Sequence, residues 1–337
     1  METIRGDEPA REILELIVGP WRAQTVYLAA KLGLADHLAE GALTAPDLAA
    51  RVGADPVALQ RFLRLLAGVG VLAGDEAAGY TLTDSGELLR TNVPGSMRDL
   101  AISYGELFYP VWVDPLPTAV TGEQGFPRTY GAPLFEHLAK HPEQARTFDG
   151  AMAAGSSFFA EVPGAYDFSG ATTVVDLGGG RGALLAEILK ANPGLRGVLY
   201  DAPHVVAAAG EFLEQAGVAD RCTRLGGDFF ASVPAGGDVY VLSRVLHDWT
   251  DEQCHAVLRC CRDAAAPGST LLIIERVIHE HPTLALEWDV QMMTVTGGRE
   301  RTRAEYEALL RPHSFRIADC LTLPLDVNIL VSTREES

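Results

Sequence analysis

A chain of 337 residues, 47% hydrophobic and 21% charged, is long enough for one large domain and a smaller partner, each with a core, and too apolar for a disordered tail. Its formal net charge of −18 opposes nucleic-acid binding, which rests largely on cationic side chains displacing counterions from phosphates. No apolar run approaches the ~20 residues that span a bilayer, and the opening METIRGDEPAREILELIVGPW lacks the cationic-then-apolar order of a secretion signal. A cytoplasmic protein with no membrane partner is expected. The five cysteines, Cys222, Cys254, Cys260, Cys261 and Cys320, are odd in number and without C-x-x-C spacing, so they read as reduced thiols in the core.

Residues 8–90 read as helices closed by a hairpin. EILELIVGPW and AQTVYLAAKLGLADHLA carry apolar residues three and four apart. Thr44 with Asp47 reads as a capping box over DLAARVG, and Asp55 before Pro56 starts PVALQRFLRLLAGVG. VLAGDEAAGYTLT supplies two short strands around an Asp/Gly turn. Helix, helix, hairpin is a winged-helix layout, assigned to residues 1–95. That stretch holds eight Lys and Arg against thirteen Asp and Glu, with only Arg61 and Arg64 as cations on the would-be recognition helix. Such a balance disfavours DNA. The apolar excess over 12–39 predicts a dimerisation surface instead.

Residues 96–165 read as a helical connector rich in aromatic residues, and 166–337 as an α/β domain. In the latter, TTVVDLGGG, GVLYDAP, CTRLGGDFF, DVYVLSRVLHDW and STLLIIERVI read as strands, alternating with ALLAEILKANP, VVAAAGEFLEQAG and DEQCHAVLRCCRDAAAP as helices. Repeated βαβ units predict a doubly wound, Rossmann-like parallel sheet that binds its ligand at the carboxyl ends of the strands. Asp176, Asp201, Asp228, His247 and Glu275 are expected at those ends. Asp248, Asp251 and Glu252 are expected to cap the helix that follows the fourth strand.

The run from Asp176 through Gly178, Gly180 and Gly182 fits two patterns, a dinucleotide loop or D-x-G-x-G-x-G. A carboxylate just ahead of the glycines is unhelpful to a pyrophosphate and welcome to a ligand carrying ammonium and sulfonium charges. Asp201 ends the second strand, 23 residues beyond Gly178, where an acid reaches ribose hydroxyls in this fold. In Gly227-Asp228-Phe229-Phe230, Asp228 is placed to accept from an adenine amine while Phe229 lines the ring.

The motifs VVDLGGGRG, LYD, GDFF, LSRVLHDW, LLIIE and GGRERT, in that order, resemble those of S-adenosylmethionine (SAM)-dependent O-methyltransferases of the caffeate/hydroxyindole type, including bacterial enzymes that methylate aromatic antibiotics. ELIVGPWRAQTVYLAAKLGLAD and SMRDLAISYGELF are similar to phenazine-modifying members. The resemblance covers nearly the whole chain. It implies SAM as methyl donor, S-adenosylhomocysteine as product, no metal, an aromatic hydroxyl as acceptor, and a homodimer formed through the N-terminal domain. It carries SAM contacts onto Gly178, Asp201, Asp228, Phe229, Ser243, Arg244, Trp249 and Ser156. It makes His247 of HDW the general base, with Glu275 and Glu300 as flanking acids. Met152 and Met292 match positions that flank the acceptor ring, and Trp112 and Phe148 of the connector are further candidates for that pocket.

The chemistry suits these residue types. A sulfonium methyl is already activated, so the protein must hold an acceptor oxygen in line and remove its proton. A phenol with pKa about 10 is mostly protonated at pH 7, which makes a histidine base with a pKa near neutrality useful. A surface pairing of Glu300 with Arg299 or Arg301 is the structural alternative for that acid. A nicotinamide dehydrogenase would share the glycine turn and Asp201 but leaves Asp176 and HDW without a task. Hydroxylating or decarboxylating relatives on the same fold are a further alternative, disfavoured by the retention of His247 and both glutamates.

Overall fold

In this computed structural model, which describes residues 8–154, 156–281 and 284–336, the chain forms two units. One comprises the described residues up to Val113 together with Phe135–Ser156, and the other Asp114–Leu134 and everything from Ser157 onward. The stretch read as a connector, 96–165, is therefore shared between the units instead of standing alone.

The first unit follows its local signals closely. Helix Glu8–Ile17 gives way at Val18 to Gly19–Lys31, which has Pro20 in its first turn, where no amide partner is needed. Gly33, at φ +64°, then separates a short helix, Leu34–Leu38, that the sequence reading had run together with its predecessor. Thr44 caps Ala45–Val52 by accepting from the Asp47 amide, and Asp55 caps Pro56–Gly68 by accepting from the Ala58 amide at 2.7 Å. Strands β1 (Leu72–Asp75) and β2 (Gly79–Leu82) make the expected antiparallel hairpin. Leu34, Leu38, Leu48, Leu59, Leu63, Leu66 and Tyr80 fill the core. The first helix has no buried residue, and its Ile13, Leu14, Leu16 and Ile17 are 57–74% exposed.

The second unit holds β3 (Thr173–Leu177), β4 (Arg196–Asp201), β5 (Cys222–Gly226), β6 (Val239–Ser243), β7 (Thr270–Ile278), β8 (Arg301–Thr302), β9 (Phe315–Thr322) and β10 (Val327–Arg334). They form one eight-stranded sheet in the order β5-β4-β3-β6-β7-β10-β9, with β8 alongside β7. The five strands read from the sequence pair in parallel. Their near-continuous apolar runs, such as Val239–Leu242 and Leu271–Ile274, are buried against a core on each face. β10 is antiparallel to both β7 and β9, and β9 forms that edge. The chain order reverses between β3 and β6, a switch point at which such sheets bind ligands. The second predicted helix is split into Pro203–Ala208 and Gly210–Gln215.

Candidate active site

The glycine turn is built around a carboxylate. After β3 the chain needs positive φ at Gly178 (+68°), Gly180 (+59°) and Gly182 (+82°) before helix Ala183–Ala191 begins. A Cβ on Gly179 would collide with the carboxylate of Asp176. Asp176 is 1% exposed, and neither of its carboxylate oxygens has a hydrogen-bond partner among the described residues. Burial, reinforced by the nearby Asp201 charge, lifts its pKa to about 7. A buried acid with no donor among the described residues, beside a glycine turn that is open at Gly180, is a cradle for a ligand that brings its own donor or positive charge.

Asp201 closes β4 as expected. Its carboxylate accepts from the Gly180 amide at 2.8 Å and the Ala202 amide at 2.6 Å, which fixes the turn and leaves each oxygen further acceptor capacity. Gly227 packs so tightly on the Tyr200 hydroxyl that no side chain fits. Asp228 accepts from the Phe230 amide at 2.9 Å. Phe229 lies by Gly178, since a Cβ there would stand 3.6 Å from the Phe229 ring and 2.9 Å from Val245. Trp249 stands edge-on to Phe229 at 6.3 Å and to Phe230 at 4.9 Å. The Ser243 hydroxyl is buried with no partner among the described residues. Arg244 sits at φ +53° with its guanidinium 5.4 Å from the Phe159 ring. Gly178, Asp201, Asp228, Phe229 and Trp249 are thus tied to the glycine turn or to the β5 and β6 loops beside it. Ser156 lies in the first unit, its hydroxyl donating to the Met152 carbonyl.

His247 sits on a turn, Leu246–Asp248, just beyond β6. Its Nδ1 is 2.9 Å from Oε1 of Glu300, and because a carboxylate only accepts, Nδ1 carries the proton. Nε2 lies 4.0 Å from Oδ2 of Asp248. Glu300 is 0% exposed, its amide donates to Asp289 at 3.0 Å, and its Oε2 has no partner among the described residues. The surface pairing with Arg299 or Arg301 does not occur: Arg299 pairs with Glu305 and Asp251, and Arg301 with Asp251.

Glu275 differs from expectation. β7 runs three residues past it to Ile278, so it faces the end of β6 from within its own strand. Its Oε1 accepts from the amides of Val245, Leu246 and His247 at 3.0, 2.7 and 3.2 Å, and its Oε2 from the Tyr306 hydroxyl. It therefore holds the backbone under the imidazole, while Glu300 alone holds the ring. The helix Asp251–Ala264 is capped by Thr250 and Gln253, a reciprocal box, and not by the acids. Asp248 is beside the imidazole and Asp251 is committed to Arg301.

Burial alone would pull the His247 pKa down. The charges of Glu300 and Asp248, with the Glu300 hydrogen bond and the Glu275 charge, outweigh it and raise the value to about 9. That direction favours the imidazolium form in the protein alone. Burial raises Asp248 to about 6. Among the acceptor-pocket candidates, Trp112, Phe148 and Met152 belong to the first unit, where Phe148 packs edge-on against Phe108 at 6.3 Å. Met292 is buried in helix Leu284–Val295 of the second.

Tyr306, Arg301, Asp289 and Gly298 were not singled out from the sequence. Gly298 and Arg301 lie within GGRERT, where their motif membership was visible, whereas nothing local marks Tyr306. Among the described residues no three His, Cys, Asp or Glu side chains are grouped to hold a metal ion, and no helix is long and apolar enough to cross a membrane.

Fold and site together define a Rossmann-like α/β protein with a carboxylate-lined glycine turn at the switch point of its sheet. The family model of the O-methyltransferase domain matches residues 115–316, and that of the O-methyltransferase dimerisation domain residues 14–92. The 3-amino-4-hydroxybenzoate 4-O-methyltransferase of Streptomyces cremeus is 44% identical over 97% of this chain and 91% of its own length. The phenazine O-methyltransferase of Lysobacter antibioticus is 42% identical over 94% of each. The crystal structure of human N-acetylserotonin methyltransferase in complex with SAM superposes with a TM-score of 0.90 at 27% identity, covering 100% of both chains. The chain belongs to this family and is a SAM-dependent O-methyltransferase. The dehydrogenase reading is not favoured.

Proposed function

We propose that the protein methylates a hydroxyl of an aromatic bacterial metabolite, with His247 taking the hydroxyl proton, and that it works as a homodimer through its N-terminal unit. The observation that carries this is the buried His247–Glu300 pair. With Nδ1 donating to Glu300, the neutral ring presents Nε2 as an acceptor, the geometry of a carboxylate-oriented base.

SAM, when bound, supplies a methyl group already activated on a sulfonium. Asp176 fits its cationic portion, Asp201 the ribose hydroxyls, Asp228 the adenine amine and Phe229 the adenine face, while Ser243, Arg244 and Trp249 stand as further contacts. Met292 is assigned to the acceptor ring, methionine being suited to π faces. The proton passes from the acceptor oxygen to Nε2, the oxygen forms its bond to the methyl carbon, and the carbon–sulfur bond breaks with its electron pair left on sulfur. The products are a methyl ether, S-adenosylhomocysteine and imidazolium.

A ring with pKa about 9 is charged at pH 7 before cofactor binds. A sulfonium nearby disfavours that second positive charge and lowers the pKa toward the working range. Glu300 stabilises the imidazolium again once the phenol yields its proton. The test is transfer of labelled methyl from SAM to a panel of hydroxylated aromatic acids and fused-ring phenols, each beside an analogue with hydrogen in place of the hydroxyl. Labelled ether from the phenols alone supports the reading. Equal labelling of both sets defeats it.

A further inference from the structure

We propose that Arg301 is a positioning residue for the methyl transfer, gripping the carbonyl side of the turn that carries His247 while Glu275 grips its amide side. The inference rests on the reading of His247 as base. Arg301 follows Glu300 directly and opens β8, yet it is 1% exposed and ranks among the largest fully buried side chains. Its Nη1 donates to the carbonyls of Leu246 and Arg299, both at 3.2 Å, and its Nη2 to the carbonyl of Trp249 at 3.1 Å. Nε and Nη2 also donate to one oxygen of Asp251, at 3.1 and 2.7 Å, and Nη2 approaches the Cys254 sulfur at 3.5 Å. The planar fork thus spans both ends of the turn, 246 and 249, and ties them to the loop that delivers Glu300.

The arrangement closes on itself. Tyr306, whose ring lies 6.0 Å from the Arg301 guanidinium, donates its hydroxyl to Glu275, which holds the amides of 245–247. A cation therefore sits at the turn's carbonyls and an anion at its amides, each opposite the backbone charge it complements. Asp251 gives the guanidinium its aim, and that hydrogen bond and the Arg301 charge hold its pKa below the ordinary value against the pull of burial. Nothing in this network touches the imidazole ring. Its output is the placement of the His247 backbone relative to Glu300, and misplacement of a reacting group by about 1 Å costs on the order of 10²-fold in rate.

Lysine keeps the charge but cannot reach both carbonyls and Asp251 at once, so Arg301→Lys isolates the fork geometry. The readouts are kcat, SAM affinity, and the titration of the His247 ring followed by NMR of histidine-labelled full-length enzyme, the signal assigned with His247→Ala. The ring faces Glu300 from the 297–301 loop, Asp248 from its own turn and Glu275 from β7, with Arg244 close to Asp248, and Tyr306 and Arg301 close to Glu275. With the fork gone the ring drifts from Glu300. Its pKa should fall from about 9 toward the ordinary 6.5, while kcat drops ~10- to 10²-fold and SAM affinity changes less than kcat, because Arg301 itself is assigned no cofactor contact and reaches one only through the Trp249 carbonyl.

Asp251→Asn, at a half-exposed side chain, should do the same more weakly and decides the matter with the same readouts should the lysine variant not fold. A purely structural Arg301 would lower thermal stability and leave both the ring titration and kcat at wild-type values, and that result overturns the inference. Full turnover by His247→Ala would overturn the base reading instead, since the ring titration of the Arg301 and Asp251 variants reports position whatever task the ring has.

Discussion

Asp176 and Glu300 are both fully buried acids with oxygens that lack a partner among the described residues, and their surroundings prepare them for different work. Glu300 already holds an imidazole, whereas Asp176 holds nothing the protein supplies. For Asp176 the folded pKa of about 7 lies above the ordinary 3.8, so its ionised form destabilises the fold increasingly from pH 4 upward, fully above about 7. Asp176→Asn should therefore raise the melting temperature of the cofactor-free protein at pH 8 and weaken SAM binding about 10-fold or more, the loss expected for a charged hydrogen bond. Thermal-shift titration with and without SAM reads both effects, and a variant that binds SAM like wild type removes Asp176 from the cofactor site.

His247 has the opposite sign. Its folded pKa of about 9 exceeds the ordinary 6.5, so the imidazolium stabilises the fold fully below pH 6.5 and that contribution is lost as pH rises through 9. Glu300→Gln removes the leading charge and should flatten this pH dependence of stability between 6.5 and 9, measured by denaturant melts across the range. An unchanged profile would mean that Glu300 does not hold the charged ring.

At the scale of elements, the site is two turns at the carboxyl ends of the neighbouring central strands β3 and β6. A Cβ on Gly298 would collide with the His247 carbonyl, so Gly298→Ala should push the 297–301 loop off the histidine turn and lower kcat ~10²-fold with SAM affinity kept. Isothermal calorimetry beside steady-state kinetics separates the two, and a fully active variant would show that the loops have room to spare. The parallel strands were legible because burial on both faces writes continuous apolar runs, and the glycine turn because positive φ demands glycine. β9 and β10 were not assigned from the sequence. Their pattern is that of an antiparallel pair folding back on β7, without the strand–helix alternation that marked the rest. His247 and Glu300 were legible through their motifs. The backbone partners of Glu275 were not legible because they depend on which neighbour lies across β6 and β7, and neither were the partners of Tyr306 and Arg301, which lie 31 and 55 residues away.

At the scale of the whole molecule, the exposed apolar face of Glu8–Ile17 lies at the start of the region matching the dimerisation-domain model. Four apolar side chains on one ten-residue helix are more than an isolated unit leaves in water. Replacing Ile13 and Leu16 with glutamate should turn a dimer into a monomer in light scattering, and an unchanged mass would place the interface elsewhere. The central claim concerns the proton, and the pH–rate profile of His247→Ala with a methylated acceptor tests it most directly. SAM affinity should stay near wild type while kcat at pH 7 falls by roughly 10²–10⁴-fold, and turnover should recover as the pH approaches the phenol's own pKa of about 10, where the acceptor arrives already ionised. Wild-type turnover at pH 7, or a loss that rising pH does not relieve, would contradict the assignment of His247 as the base.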